Sequence, residues 1–97
     1  MATYIVLGSY TDQGIRNFKD IPKRTEAAKA LAKKCGVTMK ETYWTLGSYD
    51  LVSIFEAPDD ASMTALGLSL GSLGNVRTQT LKAFSAAELK TILGKAT

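Results

Sequence analysis

The stretch VTMKETYWTLGSYDLVSIFEA, Val37 to Ala57, decides the fold. Two runs rich in β-branched and aromatic residues flank Gly47-Ser48, the pattern of two strands joined by a turn. Glycine followed by a small polar residue fits a two-residue type II′ loop, whose first central position needs a positive backbone dihedral. A loop so placed puts Thr45 with Asp50, Tyr43 with Val52, Glu41 with Ile54 and Met39 with Glu56 on one face of the hairpin. The other face carries Leu46 with Tyr49, Trp44 with Leu51, Thr42 with Ser53 and Lys40 with Phe55, and is the better one to lie beneath helices. Gly47, Ser48 and Tyr49 are then turn residues, with the Tyr49 ring on the helix side. Asp50 points the other way.

Working outward from the hairpin, TYIVLGSY (Thr3 to Tyr10) reads as a strand with two apolar faces, as in a central strand covered on both sides. A short helical turn follows around Gly14 to Phe18. A longer helix enters at Asp20-Ile21-Pro22, where proline suits the first turn. Ile21, Thr25, Ala28, Ala32 and Cys35 recur at steps of four and three and form its buried stripe, and Gly36 caps its end. After the hairpin, PDDASMTALGLSLGSLG reads as a second helix with Asp59 as N-cap and Met63, Leu66, Leu70 and Leu73 as the apolar stripe. Gly67 and Gly71 inside that helix cost about 1 kcal/mol each relative to alanine. They therefore imply close approach of another backbone, from the sheet or from a second subunit. NVRTQTLKAF reads as the fourth strand, and SAAELKTILGK as a short closing helix with a capping box from Ser85 to Glu88. The order is βαββαβ plus a terminal helix. It predicts an α+β, ferredoxin-like antiparallel sheet with both long helices on one face.

With 97 residues, the expectation is one domain spanning 1–97. A hydrophobic fraction of 45% with 22% charged residues and two prolines is that of a globular chain. The net charge of +3 is too mild and too scattered for a nucleic-acid surface. The absence of histidine removes the commonest general base and metal ligand, so neither a metal nor another cofactor is expected. The single cysteine, Cys35, excludes an internal disulfide and suits a reducing compartment; a buried, inert thiol is the simpler reading and a reactive one the alternative. No run approaches the ~18 apolar residues of a membrane span, so the chain is expected to be cytoplasmic with no membrane partner.

Helices on one side leave Val52, Ile54 and residues of the first strand facing water on the other, which calls for a second subunit. The same face offers Tyr43, Asp50, Glu41 and, from the fourth strand, Arg77 as polar candidates for holding a ligand. The plainer alternative is that Asp50 bonds within the hairpin and the edge glutamate is solvated. An RNA-binding sheet of this topology needs aromatic residues on the open central strands; the third strand supplies Asp50, Val52 and Ile54 instead.

From TYWTLGSYDLVSIFEAPDD through LGNVRTQTLKAFSAAE, and including YTDQGIRNFKD, the chain resembles the GYD-domain family, named for a Gly-x-Tyr-Asp signature that falls here on Gly47-Ser48-Tyr49-Asp50. The resemblance implies a bacterial or archaeal ferredoxin-like domain related to the dimeric α+β barrels, in which two sheets pack face to face around a cavity. It implies no reaction. Two functional classes remain: a homo-oligomeric module holding a small organic ligand between its sheets, and a cofactor-independent enzyme of the monooxygenase or isomerase type.

Overall fold

The computed structural model describes residues 1–97. The elements run β1 (Ala2–Tyr10), α1 (Asp12–Arg16), a 3-10 turn (Phe18–Asp20), α2 (Ile21–Lys34), β2 (Thr38–Trp44), β3 (Leu51–Ala57), α3 (Asp60–Ser72), β4 (Val76–Ala83) and α4 (Ala86–Lys95). The four strands form one antiparallel sheet in the order β2-β3-β1-β4. This is the ferredoxin-like α+β arrangement that the element order predicts.

The side-chain alternation of the two central strands sorts the sheet into unlike faces. Tyr4, Val6, Phe55 and Ala57 are buried beneath Ala32 of α2 and Met63 and Leu66 of α3, with Val37 completing the core. The intervening Ile5, Leu7, Val52 and Ile54 are only half-buried and have no helix over them. Local signals set the helix ends. Asp59 Oδ1 accepts the N–H of Ser62 at 2.8 Å, and Ser85 and Glu88 form the reciprocal capping box. Gly36, at φ +78°, turns the chain out of α2.

Three local expectations change. The hairpin loop is wider than two residues: Trp44 pairs with Leu51 and Thr45 N–H reaches Asp50 O at 2.9 Å, but Leu46 and Tyr49 do not pair. Gly47 still takes a positive φ of +115°. A bulge at Lys40 then shifts the far end of the hairpin, so that Met39 faces Phe55 and Thr38 faces Glu56. The apolar Met39 thereby packs against the core, and Lys40 turns to Glu56 at 3.3 Å. Last, a Cβ at Gly67 or Gly71 would meet nothing within 4 Å, whereas one at Gly14 would lie 2.0 Å from Asn75 O. The close backbone approach is at α1, where Thr11 N–H also bonds to Asn75 O at 3.1 Å.

Candidate functional site

The bare sheet face is apolar along its middle and polar at its edges. Ile5 and Leu7 of β1 lie between Ile54 and Val52 of β3 and Leu81 and Gln79 of β4. Glu41 and Tyr43 project from β2 at one edge, and Arg77, opposite Ser9, from β4 at the other. Glu41 beside Tyr43 raises the phenol's pKa, first through a hydrogen bond and then through its charge. With two strands between them, the edges are about 14 Å apart. One copy of the chain therefore does not bring Arg77 to Glu41 and Tyr43.

Asp50 is not on that face's polar rim. Its Oδ2 accepts the backbone N–H of Tyr10 at 2.8 Å, and its own N–H donates to Gly8 O at 2.8 Å. The carboxylate thus satisfies the last donor of β1 and ties the hairpin to it. Tyr49 departs from the expected helix side. Because the loop opens before it, its ring crosses β1 and its hydroxyl donates to Gln79 Oε1 at 2.9 Å, closing one end of the bare face. The widened loop is held by Thr45 Oγ1 donating to Tyr49 O at 2.6 Å; Gly47 and Ser48 stay exposed at its tip.

Two clusters escape the sequence reading. Tyr4 donates its hydroxyl to Asp60, whose Oδ1 also meets Lys82 Nζ at 2.9 Å, while Lys82 lies over the Tyr4 ring at 5.9 Å. The hydrogen bond from Tyr4, then that from Lys82, holds the Asp60 carboxyl below its ordinary pKa. The same contacts raise Tyr4 and Lys82. This latch joins the first turn of α3 to β1 and β4. Its signal in the sequence is a lysine on the helix-facing set Val76, Thr78, Thr80, Lys82, where an inward charge requires a partner.

The second cluster surrounds Arg24, three residues beyond Ile21 and so on the buried side of α2. Its Nη2 donates to Gly14 O at 2.9 Å and Asn17 O at 3.2 Å, and its guanidinium lies 5.7 Å from the Tyr10 ring centroid. Trp44 Nε1 donates to the Tyr10 hydroxyl at 2.9 Å. These side chains border a partly enclosed cavity of about 130 Å³ between α2, α3 and the sheet, walled by Val6, Ile21, Ala28, Leu51, Phe55 and Leu70.

Comparison with known proteins places this geometry. A curated protein of Thermus thermophilus named glutamine synthetase and cystathionine beta-lyase binding protein is 39% identical over 90 residues, covering 92% of this chain and 95% of that one. A crystal structure from Thermus thermophilus superposes with a TM-score of 0.57 or just below, 0.56, at 26% identity over 89% of this chain and 96% of that one. The crystal structure of a hypothetical protein from Pyrococcus horikoshii gives 0.57 at 20% identity, covering 88% and 92%, a likeness of fold. Residues 4–93 match the GYD domain, and the chain belongs to that family.

Proposed function

We propose that residues 1–97 act as one domain, a homo-oligomeric binding module in which two copies pack their bare sheet faces together, as in the dimeric α+β barrels, and present the assembly to other proteins. The observation that carries this reading is the strip Ile5, Leu7, Val52, Ile54 and Leu81, which no helix covers. Four strands about seven residues long make a face on the order of 450 Å², over half of the ~800 Å² that each partner gives to a stable interface. The exposed Leu89, Ile92 and Leu93 of α4 add apolar surface beyond the sheet.

Electrostatics favours one orientation. A two-fold axis parallel to the strands sets each β4 edge over the β2 edge of the second copy, so that Arg77 faces the side bearing Glu41 and Tyr43. An axis across the strands sets like edge on like edge. In the favoured arrangement a small organic ligand between the sheets would meet Arg77, Glu41 and Tyr43, while Asp50 is already engaged by Tyr10.

The name of the Thermus relative supports protein partners for this domain too. Biolayer interferometry with the immobilised domain against purified glutamine synthetase and cystathionine β-lyase of the same organism tests this. Saturable binding of either enzyme is expected. Absence of binding by both at micromolar concentration would contradict the protein-binding part of the reading.

A further inference from the structure

We infer that the cavity between α2, α3 and the sheet binds a small apolar carboxylate, its hydrocarbon body among Val6, Ala28, Leu51 and Phe55 and its carboxylate on Arg24. The first observation is the missing counter-charge. Both ion pairs of the molecule, Lys40 with Glu56 and Lys82 with Asp60, lie elsewhere, and the half-buried guanidinium of Arg24 has no carboxylate within 4.0 Å. A cation drawn into a protein interior ordinarily gains an anionic partner.

The second observation is the state of its donors. Only Nη2 is used, on two backbone carbonyls; Nε and Nη1 are shielded from water and have no hydrogen-bond partner. Unmet donors next to a space are where a charge-assisted hydrogen bond gains most, because the surrounding dielectric is low. Tyr10 covers this guanidinium and is held by Trp44, and both rings border the cavity. Their displacement is the motion that lets a carboxylate reach the shielded donors.

Size and lining fix the rest of the ligand. An apolar cavity of ~150 Å³ holds one benzene ring, so about 130 Å³ takes a single ring or a short branched chain. The class is therefore a benzoate-sized monocarboxylate. This site lies on the helix side of the sheet and stands whether or not the bare faces pair.

The test uses the purified full chain with benzoate and its neutral counterpart benzyl alcohol as probes, read by the fluorescence of Trp44, the only tryptophan, and by melting temperature. Benzoate is expected to bind at least about tenfold tighter than benzyl alcohol, the weight of one charge-assisted hydrogen bond. Arg24→Met should bring the two probes level. Ala28→Leu, which fills the cavity from α2, should abolish both while leaving the circular dichroism unchanged. Equal affinities for the two probes in the wild type would overturn the role of Arg24. Benzoate binding that survives Ala28→Leu, or no binding of either probe up to millimolar concentration, would overturn the site. The wild-type ratio and Ala28→Leu decide the matter even where Arg24→Met does not fold.

Discussion

Asp50 Oδ2 accepts the backbone N–H of Tyr10 at 2.8 Å, joining the start of β3 to the end of β1. A carboxylate on a main-chain donor is a hydrogen bond to a charged group, worth about 1.5 to 3 kcal/mol. Asp50→Ala is therefore expected to lower unfolding stability by roughly that amount, and Asp50→Asn by less, since its amide oxygen still accepts. Urea denaturation of the three proteins checks the order, and light scattering should show no change in mass.

The latch among Tyr4, Asp60 and Lys82 makes stability depend on pH. Asp60 has a folded pKa below its ordinary value of 3.8, first through the Tyr4 hydrogen bond. Its contribution is therefore present above 3.8 and lost as pH falls through the lower folded value. Asp59 and Glu88, lowered first by the backbone N–H groups of Ser62 and Ser85, fall in the same acid range. Melting temperatures of the wild type and Asp60→Asn should differ at pH 7 and converge by pH 2.5; a constant gap would dismiss the latch. Tyr4 and Lys82, both raised, act in the alkaline limb, where their support is lost as pH climbs above 10.

The glycines give opposite expectations. A Cβ at Gly14 would lie 2.0 Å from a main-chain oxygen, so Gly14→Ala should cost about 1 to 3 kcal/mol, as overpacking does. Gly67 has open space above it and sits inside α3, so Gly67→Ala should stabilise the helix by up to about 1 kcal/mol. Thermal unfolding compares them directly. A loss at Gly67 would mean that another chain packs closely there.

The fold was legible because its signals are local and repeated: alternation in β1 and β3, proline in the first turn of α2, caps at Asp59 and Ser85, and a glycine at each sharp exit. What escaped was set by tertiary contact. The bulge at Lys40 arises because Met39 gains more beneath α2 than it would facing water, a comparison that alternation alone does not make. Tyr49 crosses to Gln79 because the loop widened, and one unpaired rung reverses the side a ring takes. Arg24 and Lys82 looked like ordinary surface cations until neighbouring elements closed over them.

Sheet-face pairing is tested most directly by the mass of the molecule in solution. Ile54 lies on the bare face beside Ile5, so Ile54→Lys puts a charge into the middle of the proposed interface without touching the helix-side core. Sedimentation velocity at about 20 μM is expected to give a dimer or a larger even-numbered assembly for the wild type and a folded monomer for Ile54→Lys. A monomeric wild type, or a variant that keeps the wild-type mass with its circular dichroism intact, would contradict the pairing of the bare sheet faces.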